Sequence, residues 1–219
     1  MKKLLLACVV ALAACSPALA DVIDVFATVD ALPPAHTSSA TGQLVIVGVA
    51  LPFFSLNTVV INSQATLPAP GILDTNSLNL NQTVGGDHTL VLDIIASGLT
   101  GPGSLQNILS TFSVSGLTDG WTARERTFIN GTLLSDTGTF TTPSGSAFEI
   151  KPAFLGATYS AEVIYTIHGV GIGGFNGGID MSVAVPGPIV GAGIPGLLTA
   201  AFAGFLGWKR RRRGLVGNG

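Results

Sequence analysis

Few residues in this chain could do chemistry. Three histidines, His36, His88 and His168, and all twelve carboxylates lie between residues 21 and 185. A hydrolase would need a nucleophile, a base and an orienting group brought together. No Ser stands in G-x-S-x-G, and the two cysteines, Cys8 and Cys15, sit in an apolar run at the N-terminus. Asp87-His88 beside Gly85-Gly86 is the most compact acid and imidazole pair, and its simpler reading is a solvated hairpin turn. Metal patterns such as H-E-x-x-H and C-x-x-C are missing, and Asp87 and Asp93 belong to no spaced acidic loop. The sequence therefore predicts no catalytic residue, no metal and no cofactor. Glycoside hydrolysis needs two carboxylates about 5 to 10 Å apart, and twelve acids permit such a pair without placing it. One constellation suggests ligand contact: Trp121 with Arg124 and Arg126, the two arginines flanking Glu125 and sharing a strand face. Trp and Arg on an exposed face stack on a sugar ring or a partner; the plainer reading is a core Trp beside a surface ion pair.

Two glycine patterns invite a nucleotide-binding reading and do not sustain it. Gly191-Ala192-Gly193-Ile194-Pro195-Gly196 fits G-x-G-x-x-G, but no Asp or Glu follows Asp180. The dinucleotide fingerprint needs a βαβ unit and an acidic residue about 20 positions on. Gly169-Val170-Gly171-Ile172-Gly173-Gly174 fits the same pattern after a strand, yet Phe175-Asn176-Gly177-Gly178 reads as loop, so a flexible turn is expected.

The elements that must position any site are strands. The composition, 47% hydrophobic and 10% charged with 29 Gly and 12 Pro, is far below the roughly 25% charge of an average domain. Tyr159, Ala161, Val163, Tyr165 and Ile167 alternate with Ser160, Glu162, Thr166 and His168, the period of a half-buried strand. Ile179, Met181, Val183 and Val185 repeat the pattern. Other predicted strands are 22–29, 43–51, 57–62, 78–84, 88–96, 110–116, 121–129, 132–141 and 147–151. Pro33-Pro34 and Leu67-Pro68-Ala69-Pro70-Gly71 are loops too short to divide domains. The expected fold is all-β, an antiparallel β-sandwich or jelly roll over residues 21–185. That segment holds twelve acids against Arg124, Arg126 and Lys151, so it has little attraction for nucleic acid.

Both ends read as addresses. Lys2-Lys3, the apolar stretch Leu4 to Ala14 and Ala18-Leu19-Ala20 have the order of a signal peptide, residues 1–20, cut after Ala20 at the Ala18-x-Ala20 site. Leu12-Ala13-Ala14-Cys15 offers a competing lipoprotein-type cut before Cys15. From Ile189 to Trp208 twenty residues carry no charge, and Lys209, Arg210, Arg211, Arg212 and Arg213 follow. At 1.5 Å per residue that run makes about 30 Å of helix, one hydrocarbon thickness. The basic cluster holds its end in the cytoplasm, with 214–219 as a short cytoplasmic tail, and the β domain lies on the periplasmic side.

Val185-Pro186-Gly187-Pro188, the apolar Gly-rich span and the terminal Arg run resemble the PEP-CTERM sorting signal, here over residues 186–213, with Pro186-Gly187-Pro188 replacing the usual Pro-Glu-Pro. The resemblance implies a Gram-negative envelope protein that is held transiently in the inner membrane. An exosortase-like enzyme would then process it to the surface or exterior, where it associates with exopolysaccharide or biofilm matrix. The expected function is structural or adhesive and not enzymatic; the alternative is a carbohydrate-binding or carbohydrate-active protein on the same tail.

Overall fold

The computed structural model of the chain describes residues 21–63 and 71–184. Twelve strands run through them: β1 (Val22–Val29), β2 (Ala35–Ser39), β3 (Gln43–Ala50), β4 (Phe54–Ser63), β5 (Gly71–Gln82), β6 (Asp87–Thr100), β7 (Ser104–Leu117), β8 (Thr122–Ile129), β9 (Thr132–Phe140), β10 (Gly145–Leu155), β11 (Thr158–Val170) and β12 (Gly173–Val183). The described residues contain no helix. The strands form two six-stranded sheets, ordered β2-β1-β6-β11-β8-β9 and β10-β7-β12-β5-β4-β3, with every pairing antiparallel. The expected all-β sandwich is therefore present. The signal residues Ala18 and Ala20, the motif Val185 to Pro188, the apolar span and the cluster Lys209 to Arg213 lie outside the described residues.

Alternation sets the faces as well as the strands. Tyr159, Ala161, Val163, Tyr165 and Ile167 of β11 are all buried between the sheets, where they meet Leu56, Leu80, Phe112 and Phe175 of the opposite sheet in one core. Two polar links cross that core. The Tyr165 hydroxyl hydrogen-bonds Thr75 Oγ1, which also accepts the Ile179 N–H at 3.0 Å. Ser110 and Thr127 hydroxyls meet at 3.0 Å. A buried hydroxyl without a partner is costly, so these pairs fix how the two sheets face one another.

Local turn chemistry explains the β8–β9 hairpin. Asn130 and Gly131 carry positive φ angles of 51° and 72°, the conformation that Asn-Gly adopts with least strain in a two-residue hairpin loop. Asn130 Oδ1 then accepts the Ser160 N–H at 2.9 Å, tying the turn to β11. Asp30 does the same after β1: φ is 51°, and its carboxylate accepts the Thr89 N–H at 2.9 Å.

The structure departs from expectation most at β2 and β12, and β5 and β7 also start earlier than the predicted 78 and 110, at Gly71 and Ser104. β2, with the sequence Ala-His-Thr-Ser-Ser, is a strand that alternation could not reveal because both of its faces are polar and nearly all of it is exposed. Residues 175–178, read above as loop, are the middle of β12. Glycines of β12 are required by close packing: a Cβ on Gly177 would lie 2.5 Å from the Phe175 ring, and one on Gly173 would lie 2.6 Å from Thr118 Oγ1. The turn before them shrinks to Gly171-Ile172.

Candidate functional site

Register places polar residues in rows across the outer face of the second sheet. One row runs Thr111, Asp180, Asp74, Asn62 and Gln43, each directly opposite the next on β7, β12, β5, β4 and β3. Phe148 on β10 ends it, opposite Thr111. A second row runs Gly116, Asn176, Asn79 and Thr58, and a third runs Gly174, Asn81 and Ser55. At about 4.8 Å between strands, the stretch from β7 to β4 spans about 14 Å, the length of a short oligosaccharide.

The floor of this face is low because glycine stands where side chains would. A Cβ on Gly174 would sit 2.6 Å from Asn81 Oδ1, so the Asn81 amide lies across a position that only glycine leaves open. Ser115 is the extra residue of a bulge on β7, where Asn176 opposes Gly116 and Gly177 opposes Val114. Bulges re-aim side chains, and this one brings Ser115 into a shallow trough of about 360 Å³ with Asn79, Asn81, Gly116, Gly174 and Asn176. Beside it Asn57 Nδ2 donates to Asn79 Oδ1 at 2.7 Å, fixing the amide ladder. Amides and hydroxyls held in this way offer donors and acceptors at fixed spacing, the complement of a polyol.

Electrostatics adds a carboxylate pair. Asp180 and Asp74 stand directly opposite on adjacent strands, an arrangement that like charge disfavours. Burial pushes the Asp180 carboxyl above its ordinary value, against a lowering hydrogen bond from Ser182. Sequence reading could not find this pair, because the two residues are 106 positions apart and only the β12–β5 register joins them.

The sequence candidates Trp121, Arg124 and Arg126 lie elsewhere. Trp121 is 1% exposed and packs edge-on against Phe54, with ring centroids 6.4 Å apart, so it presents no face to a ligand. Its side chain belongs to the inward parity of β8, whereas Arg124 and Arg126 point outward from the first sheet. Arg124 Nε donates to Asp136 Oδ1 at 2.9 Å, an exposed ion pair. Arg126 lies over the Phe128 ring, 6.0 Å from its centroid. The plainer of the two readings therefore holds: a core Trp beside a surface ion pair. Asp87 does not pair with His88 either; His88 Nδ1 lies 3.0 Å from Asp30 Oδ2, and its ring stacks on Phe53 at 3.8 Å. His36 is similarly placed, 3.0 Å from Asp24 and stacked on Phe26. Among the described residues no group of three or more His, Cys, Asp or Glu could hold a metal ion.

Glu125, between the two arginines, is fully buried, and neither carboxyl oxygen has a hydrogen-bond partner among the described residues. Burial, with Asp136 and Glu149 nearby, pushes its carboxyl up to about 8. A carboxyl so placed is protonated at neutral pH and takes no part in the polar face.

Fold and face together define an all-β sandwich protein with a polar, glycine-floored sheet surface. No protein-family model matches the chain, and no curated protein sequence matches it. Among solved structures, it overlaps a beta-glucosidase from Kluyveromyces marxianus in complex with glucose at a TM-score of 0.34 and 10% identity, over 76% of this chain and 17% of the glucosidase chain. A family 35 carbohydrate-binding module from Clostridium thermocellum overlaps at 0.29 and 13% identity, over 74% of this chain and 98% of the module. TmCBM61 in complex with beta-1,4-galactotriose overlaps at 0.26 and 11% identity, over 57% of this chain and 82% of that one. These overlaps are loose, and nothing about function follows from them.

Proposed function

We propose that this chain is an exported, non-enzymatic protein that binds polysaccharide on the outer face of its second sheet, in a structural or adhesive role. The observation that carries this is the set of register-aligned rows in which Asn79, Asn81, Asn176, Asp74 and Asp180 stand over a glycine floor. A surface of fixed amides, hydroxyls and carboxylates recognises hydroxyl groups and has little to offer an apolar ligand. The PEP-CTERM resemblance of the tail supports the same setting: export, a transient stay in the inner membrane, processing by an exosortase-like enzyme, and delivery to an exopolysaccharide-rich surface.

Affinity electrophoresis of the full chain through gels containing different polysaccharides tests the proposal. At least one polysaccharide is expected to retard the chain, and Asn79→Ala with Asn81→Ala, or Asp74→Asn with Asp180→Asn, should weaken retardation about tenfold or more. Arg124→Ser with Arg126→Ser should leave it unchanged. Retardation insensitive to the second-sheet variants would overturn the site. Turnover of a glycan that Asp180→Asn abolishes would make the protein a carbohydrate-active enzyme instead.

A further inference from the structure

Among the described residues, the second sheet ends at β10 and β3, each with no strand on its outer side. Exposed sheet edges normally carry devices that prevent edge-to-edge pairing, such as charged side chains, proline, bulges or covering loops. Here β3 has no charged residue at all, and on β10 Lys151 Nζ is neutralised by Glu149 at 2.7 Å. Pro152 is one such device on β10, and it lies beyond Ile150, so the stretch from Ser146 to Ile150 stays open to a second copy. Apolar side chains line both edges. Phe148 is 76% exposed and Val47 67%, and Val45, Leu105, Ile150 and Phe154 are each more than half exposed. On the β10 side, at about 150 Å² a side chain, Phe148, Ile150, Phe154 and Leu105 expose roughly 400 Å², within the range at which such patches mark interaction sites.

Backbone directions at the two edges match. The Ala184 N–H donates to Asn107 O at 2.8 Å, so Asn107 turns toward β12 and its register partner Pro152 turns its backbone to the free edge. Proline has no N–H to lose there. Antiparallel alternation then points the N–H and C=O of Ser146, Phe148 and Ile150 outward. On β3, the Ser63 N–H donates to Gly42 O at 2.8 Å, which by the same alternation points those of Val45 and Val47 outward, whereas the Gln43 carbonyl already accepts from Ser39 Oγ at 2.6 Å and Thr41 Oγ1 at 3.1 Å. In both sets the side chains stand on the outer face. Because the sheet has six antiparallel strands, its first and last run in opposite directions. A copy placed alongside by simple repetition would meet this one antiparallel.

We infer that the chain self-associates head to tail, β10 of one copy pairing with β3 of the next, with Phe148 beside Val47 and Ile150 beside Val45. Such a heterologous contact does not close, so it generates extended assemblies. The polar rows would then continue from copy to copy, although the pairing stands without the glycan proposal. Each junction buries a modest area, so growth requires high local concentration.

Sedimentation of the full chain over a wide concentration range reads the outcome. Mass should rise with concentration without stopping at a dimer. Val47→Lys and Phe148→Glu should each raise the concentration of half-assembly about tenfold or more. An equimolar mixture of the two variants should recover much of the loss, because in an alternating assembly every second junction pairs Lys with Glu and the others keep Phe148 beside Val47. Circular dichroism confirms folding of each variant, and Val45→Lys with Ile150→Glu repeats the test should either fail to fold. A monomer throughout, a closed dimer, or assembly indifferent to both variants would overturn the inference; the last outcome would assign association to the apolar tail.

Discussion

Replacing Glu125 by Gln should stabilise the protein near neutral pH. The carboxyl is fully buried, has no hydrogen-bond partner among the described residues, and is pushed from 4.5 to about 8 by burial, with Asp136 and Glu149 adding to the effect. A carboxyl raised in the folded state favours folding only while it is protonated. Its contribution is complete below about 4.5 and is lost as the pH climbs toward 8. At 1.36 kcal/mol per pH unit, the loss is on the order of 3 kcal/mol at pH 7 and under about 1 kcal/mol at pH 5. Gln has the same shape and does not titrate, so the stability gap between variant and wild type should widen by roughly 2 kcal/mol between those pH values. For a chain of this size that corresponds to about 4 to 8 °C in melting temperature. Urea titrations followed by circular dichroism at pH 5, 6, 7 and 8 measure the gap directly. A gap that stays constant with pH would refute the reasoning, since it would mean that Glu125 is ionised or compensated in the folded protein.

Gly174→Ala should lower polysaccharide retention while leaving the melting curve nearly unchanged, because its Cβ would come within 2.6 Å of Asn81 Oδ1 and push that side chain aside; retention equal to wild type would argue against Asn81 as a contact. Asn130→Ala should cost about 1 to 2 kcal/mol in chemical denaturation, through strain at φ 51° and the loss of the Ser160 N–H acceptor. Trp121→Phe should lower stability by about 1 to 3 kcal/mol with retention intact, since the residue fills core space beside Phe54. Replacing Arg210 to Arg213 by Ser should weaken membrane retention in cells, measured by carbonate extraction, with the β domain still folded.

What the sequence determines about this protein is its periodicity. Period-two alternation from Tyr159 to Ile167 assigns both the strand and its buried face, because a strand burying one side must alternate. Asn130-Gly131 announces its hairpin for an equally local reason: few other dipeptides adopt two positive φ angles cheaply. Parity also speaks against the expected grouping of Trp121 with Arg124 and Arg126, since positions three apart point to opposite faces of one strand, and Trp121 is the buried one. Strand β2 was not legible, because a polar edge strand carries no alternation and forms only where β1 offers hydrogen-bond partners. The glycines of β12 look like loop in sequence and become strand only when Phe175, Asn81 and Thr118 occupy the space that side chains would need. The rows of the candidate face are likewise a product of tertiary pairing. Asp74 and Asp180 meet, and Asn81 lies over Gly174, because β12 is inserted between β5 and β7 with a particular register. Register between strands distant in the chain is set by the packing of the whole core, and no local pattern in either strand contains it.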